Sequence, residues 1–215
     1  MERYTFAIKL RDGMHSSFRS KLGDVWPLLT DFLDRNDIHN FSLWSVLDIV
    51  FGYCELSDNM TIVDTEQRKA AGFVQSFEGC FDWISEPKQT MQLMYHDYGV
   101  IRESKELIRH RVFVTKLKAG CRDEYKKRHD RLILERGNQV NLGPVSNFSI
   151  WNAGDYIFGY NEIDTTMERE RTTESLEATR NWETKQLEIM DWITNDMDWL
   201  TGEYHPAINR IAWHS

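Results

Sequence analysis

The chain has 215 residues, 41% of them hydrophobic and 13% aromatic, enough for one large domain or two of about 100 residues each. Asp and Glu (34) outnumber Lys and Arg (26), and the net charge of -8 argues against nucleic acid as a partner, because phosphate binding needs clustered cations. No apolar run approaches the roughly 20 residues of a membrane helix, so no membrane partner is expected.

In chain order, Tyr4 to Leu10 alternates like a strand. Met14 to Asn36 reads as a helix that Pro27 should bend or split. Ile38 to Trp44 and Ile49 to Leu56 are β-rich runs with a short polar break, which predicts a hairpin. A second helix is expected from about Glu66 to Ile84, and a closing strand from Met91 to His96. A linker then runs from Asp97 to Leu107, and the pattern starts again near Ile108. The N-terminus, Met1-Glu2-Arg3-Tyr4, enters a strand pattern without the basic start and apolar stretch of a signal peptide. Cys54, Cys80 and Cys121 are widely spaced and form no CxxC pair, which fits free thiols in a reducing compartment. A cytoplasmic protein is expected.

The pattern restarts because the sequence repeats. At an offset of 107, Phe6, Lys9-Leu10 and Gly13 match Phe113, Lys116-Leu117 and Gly120. Asn40-Phe41-Ser42 and Trp44 match Asn147-Phe148-Ser149 and Trp151. Asp48, Phe51-Gly52-Tyr53 and Glu55 match Asp155, Phe158-Gly159-Tyr160 and Glu162. At an offset of 109, Asp82-Trp83-Ile84 matches Asp191-Trp192-Ile193, and Tyr95-His96 matches Tyr204-His205. In the second copy the hairpin break is Asn152-Ala153-Gly154-Asp155, stronger turn chemistry than in the first. Its second helix, Thr165 to Asn195, carries Glu168-Arg169-Glu170-Arg171 and further mixed charges, the pattern of a solvated helix. Each copy has the order β-α-β-β-α-β, so the fold class is α+β, with two tandem ferredoxin-like units. Residues 1–97 form the first repeat, 98–107 the linker and 108–215 the second. Each such sheet has one apolar face left bare by its helices. The expectation is that the two sheets cover each other as an intramolecular dimeric α/β barrel, which leaves room for a further homodimer.

The copies differ most in their first helix, where no identity falls between Gly13 and Asn40. In the second copy this helix reads Asp123-Glu124-Tyr125-Lys126-Lys127-Arg128-His129. Tyr125 and His129, four residues apart, share one helix face. A histidine titrating near neutrality can give or take a proton, and a tyrosine offers a hydroxyl. A surface helix with an incidental Tyr and His has the same pattern.

Glu124 to His129 resembles the E-Y-x-x-R-H segment of the L-rhamnose mutarotases. Phe113 to Gly120 resembles that family's first strand, and Gly143 to Trp151 its G-x-H-N-Y-x-I-Y strand, with Asn147 and Phe148 at the Asn and Tyr positions. In the first copy Trp26-Pro27 and Ile38 to Leu43 resemble the family's W-P and A-H-N-Y-x-I, but Phe18 and Leu22 stand at its Tyr and His positions. The resemblance implies a sugar mutarotase active in the second repeat, interconverting the anomers of L-rhamnose or a related aldose, with a small-molecule sugar as partner. It makes His129 the catalytic residue and Tyr125 a sugar contact, with no cofactor and no metal. Trp192 lies where the family carries a tryptophan pair flanking the sugar, although its counterpart Trp83 persists in the copy without the histidine, as a core residue would. His205 ends a Tyr-His pair that resembles the family's closing strand and could equally be structural. Phe148 for Tyr, Ser146 for His and Ile133-Leu134 for W-P are departures that leave the particular sugar open. The rivals are a non-catalytic carbohydrate-binding or regulatory protein, and another dimeric-barrel enzyme acting on a small cyclic substrate.

Overall fold

A computed structural model describes residues 1–57, 64–102, 104–170, 172–195, 197 and 202–215. Phe6 and Phe113 govern how the central strands meet. Each ring lies across the strand partner directly opposite, Gly52 or Gly159, where an added Cβ would come within 2.2 or 2.0 Å of the ring. Only glycine leaves that space, so the Phe-Gly pair sets the register of β1 (Glu2–Leu10) on β3 (Ile49–Leu56) and of β6 (Ile108–Leu117) on β8 (Tyr156–Asp164).

The hairpins form as expected. β2 (Ile38–Val46) turns into β3 through Leu47-Asp48, and β7 (Val145–Ala153) into β8 through Gly154-Asp155. Leu47 and Gly154 both have positive φ, a conformation that suits Gly154 better than Leu47. Both outer hairpin strands carry a bulge at the same place, between His39 and Ser42 and between Ser146 and Ser149. Asn40 and Asn147 take the left-handed conformation there, which asparagine tolerates.

The first helix, α1 (His15–Arg35), runs through Pro27 without dividing. Its second-copy equivalent is α3 (Arg122–Arg136). The second helices, α2 (Asp64–Ser76) and α4 (Thr173–Gln186), are shorter than the sequence suggested. The residues expected to end the first of them instead form β4 (Phe81–Trp83) on β1, and β9 (Met190–Trp192) pairs with β6 in the same way. The Asp-Trp repeat is thus a short edge strand.

The closing strands depart furthest from expectation. β5 (Gln92–Asp97), the strand expected to close the first repeat, pairs with β7 of the second. β10 (Asn209–His214) pairs with β2 of the first. The sheet orders are β10-β2-β3-β1-β4 and β5-β7-β8-β6-β9, both antiparallel. The compact units are therefore Met1–Met91 with Asn209–Ser215 (unit 1) and Gln92–Ile208 (unit 2), rather than 1–97 and 108–215. Local sequence could not select the partner, because β2 and β7 offer the incoming strand the same Asn-Phe-Ser edge.

The exchange also resets the alignment. Tyr95 and His96 face Ile150 and Ser149, the places that Ala212 and Trp213 take against Leu43 and Ser42. Tyr204-His205 is not a strand; Tyr204 makes an isolated bridge with Met197. The chain has no described helix long and apolar enough to cross a membrane.

Deleting Asn209–Ser215 should expose the β2 edge. Hydrogen exchange should then show faster exchange in β2, with β7 and β8 still protected.

Candidate functional site

α3 begins at Arg122, one turn after β6 ends. Arg122 donates from Nε to Asn152 Oδ1 at 2.7 Å and also bonds Gln92 Oε1, so the start of the helix is tied to β7 and β5. At its other end Arg136 donates to the His96 carbonyl (2.8 Å), pairs with Asp97 (3.3 Å) and lies 5.9 Å from the centre of the Tyr95 ring. Between these anchors the helix buries Tyr125 and His129 and leaves its charged face in solvent. A shallow depression on the outer side is lined by Asp123, Lys126, Lys127, Asp130, Arg131 and Leu134, and does not include His129.

His129 is held in one tautomer. Its Nδ1 lies 2.9 Å from the Tyr125 carbonyl oxygen, which can only accept, so Nδ1 carries the hydrogen and Nε2 presents a lone pair. Among the described residues Nε2 has no hydrogen-bond partner. Aromatic rings enclose the imidazole. Tyr125 stacks on it at 4.2 Å between centroids, and Tyr95 and Trp182 meet it edge-on at 5.5 and 5.4 Å. Burial pushes the His129 pKa down to about 4, and the Lys126 charge adds to the effect against the hydrogen bond to Tyr125. The imidazole is neutral at pH 7. Burial likewise raises the Tyr125 phenol well above its ordinary value, so it keeps its proton.

Phe148 joins this group through Tyr95 (5.4 Å). Trp192 packs in the same apolar cluster as Tyr125 and meets Phe113 edge-on at 5.6 Å. Asn147 is directed elsewhere. The bulge turns it toward Glu162, whose Oε1 accepts from Asn147 Nδ2 (3.1 Å) and Tyr160 OH (3.1 Å), while Lys105 pairs with Oε2 at 2.7 Å. Unit 1 repeats this with Asn40, Tyr53 and Glu55, so the motif belongs to the scaffold of both copies. His205 makes no hydrogen bond or ring contact with His129 among the described residues, and its Nε2 is buried without a partner.

Two residues of the cage were not foreseen. Tyr95 was assigned to the first repeat, and only the strand exchange delivers it. Trp182 sits in a mixed-charge helix that read as solvated; its one signal was a large aromatic among charges. No group of three or more His, Cys, Asp or Glu able to hold a metal ion occurs among the described residues. Cys54, Cys80 and Cys121 are free, and burial raises the Cys54 thiol to about 12.

Unit 2 is thus an α+β domain with a neutral, tautomer-fixed histidine caged by aromatic rings under its first helix. Residues 110–205, most of this unit, match the family model described as L-rhamnose mutarotase, so the resemblance drawn from the Glu124–His129 segment holds for the second repeat. A curated L-rhamnose mutarotase of Brucella anthropi is 33% identical over 43 residues, 20% of this chain and 41% of that protein. The match therefore spans less than half the length of that relative. No solved structure matches the chain.

Between pH 6.5 and about 4 the unfolded chain binds a proton at His129 that the folded chain does not. Stability from this site is fully present above pH 6.5 and is lost as pH falls through that window, by up to about 3 kcal/mol. His129→Leu, the first-copy residue, should flatten this part of the pH dependence of unfolding in urea.

Proposed function

We propose that unit 2 is a sugar mutarotase that opens and recloses the ring of L-rhamnose or a related aldose, with His129 as its proton-transfer residue. The observation that carries this is the fixed tautomer of His129 inside an aromatic cage. The family match over residues 110–205 supports the substrate class.

Nε2 takes the proton of the anomeric hydroxyl, and the electron pair of that O–H bond becomes the second bond of the aldehyde. The bond from the anomeric carbon to the ring oxygen breaks, and its electron pair goes to that oxygen, which takes a proton from an acid. Tyr125 is the nearest candidate, since burial keeps its phenol protonated. Rotation about the first carbon–carbon bond and the reverse steps deliver the other anomer. No net proton is gained or lost, and the reading calls for no cofactor.

Phe148 and the ring of Trp192, whose Nε1–H stays free to donate, face the sugar in this reading, and Trp182 and Tyr95 join them. Asn147 keeps the bulge in shape from the Glu162 side of the sheet, and no role with the sugar is assigned to it or to His205. A cytoplasmic location and a role for unit 1 as structural partner belong to the same proposal.

Anomeric exchange measured by NMR on L-rhamnose, L-fucose and other aldoses is the test. The wild type should accelerate exchange of at least one sugar. His129→Ala should abolish the acceleration, and Tyr125→Phe should reduce it by about 10²-fold. The rate at low substrate should hold from neutral pH down to about 5 and fall as pH passes through about 4, where His129 protonates. Binding without acceleration would favour the carbohydrate-binding alternative, to which the strongly lowered basicity of His129 lends some weight.

A further inference from the structure

The two copies can be compared position by position on the sheet face that carries the helices. In unit 1 the core there contains Ile8, Phe18, Leu22, Cys54 and Phe77, all buried. The corresponding positions in unit 2 are Thr115, Tyr125, His129, Asn161 and Gln186, and all five are buried too. Five core positions that are apolar or a cysteine in unit 1 therefore carry polar side chains in unit 2, although the strand pairing is the same.

Among the described residues, Thr115 Oγ1, Asn161 Oδ1 and both side-chain amide atoms of Gln186 are buried without a hydrogen-bond partner, and so is Trp192 Nε1. These residues are at most 7% exposed. Leaving such atoms unpaired is unfavourable, and native proteins do so where something else completes them.

Their placement follows from the register. Thr115 lies between Ile157 on one neighbouring strand and Trp192 on the other, on the face that Phe113 and Leu117 share. Asn161 lies two residues beyond Gly159 on that face, beside Arg111. Gln186 is one helical turn from Trp182, which touches His129. The unpaired groups therefore lie on the sheet face that Tyr125 packs against and on the last turn of α4.

We infer that Thr115, Asn161, Gln186 and Trp192 form the specificity-determining part of a buried site for a neutral, polyhydroxylated ring, each taking a ring hydroxyl. The inference rests on the proposed function for the ligand being a sugar; the copy comparison and the unpaired atoms stand without it. The unpaired set mixes a donor (Trp192), an acceptor (Asn161) and groups that do both (Thr115, Gln186), which matches hydroxyls. None of the four is charged. The nearby cations are otherwise engaged: Lys126 pairs with Asp130 and Arg128 with Glu124 and Glu188, while the exposed Arg111 lies over the Phe113 ring, 5.8 Å from its centre. A sugar acid or sugar phosphate would bring a charge that nothing buried here neutralises.

The test pairs ligand-free stability with binding. Thr115→Val, Asn161→Leu and Gln186→Leu replace the unpaired groups by apolar side chains of comparable shape. Each should leave the melting temperature of the sugar-free protein unchanged or raised, because a buried polar group is replaced by an apolar one. Each should also weaken binding of the preferred neutral sugar by about tenfold, measured by NMR titration with L-rhamnose and L-fucose. D-glucuronate should bind more weakly than either. Lower melting temperatures with unchanged binding would make the residues structural and overturn the inference, as would glucuronate binding equally well or no binding of any neutral sugar. Tight binding that the variants weaken, with no anomeric acceleration, would sink the mutarotase alone. Acceleration with unchanged KM in all three variants would sink this assignment alone.

Discussion

The pairing of β5 along the edge of β7 is the constraint on which the candidate site depends. It supplies the outer strand of the unit 2 sheet. It also places Tyr95 against both His129 and Phe148, and gives Arg136 a carbonyl and a carboxylate to hold. Without that strand the imidazole would lose a wall, and α3 one of its two anchors. The backbone hydrogen bonds of the ladder do not depend on side-chain identity, which is why the same edge can accept a strand from another repeat.

The Phe-Gly pairs are the second fixed point. Because Phe113 occupies the space of a missing Cβ on Gly159, β6 and β8 cannot slip without exposing the ring. That register sends Thr115 and Asn161 to the helix side and Glu162 and Tyr160 to the other. Two polar systems therefore share the sheet. The hydrogen bonds of Asn147 and Tyr160 to Glu162 recur in unit 1 as those of Asn40 and Tyr53 to Glu55, whereas the helix-side Thr115, Asn161 and Gln186 have Ile8, Cys54 and Phe77 as their unit 1 counterparts. One system is thus shared by the two copies and the other differs between them.

His129 shows how burial and a single hydrogen bond divide their effects. The bond to the Tyr125 carbonyl favours the protonated ring, yet desolvation outweighs it and the ring stays neutral. The bond's contribution is geometric. It chooses which nitrogen keeps the hydrogen and leaves the lone pair on Nε2.

Sequence alone was enough to read the repeated motifs, the α+β class, the hairpins and the first-helix face carrying Tyr125 and His129, because these follow from periodicity, turn chemistry and side-chain spacing within a few residues. It also carried the family resemblance of the second copy. It misread β4 and β9 as helix, since three residues are too few to show a period. It placed β5 in the wrong sheet and took Tyr204-His205 for a strand, since the choice between identical edges is made by the whole chain. The separation of Asn147 from Phe148, adjacent in sequence and similar in appeal, required the bulge. The unpaired atoms of Thr115, Asn161 and Gln186 required the tertiary structure, because whether a polar side chain is satisfied depends on what lies across from it in space.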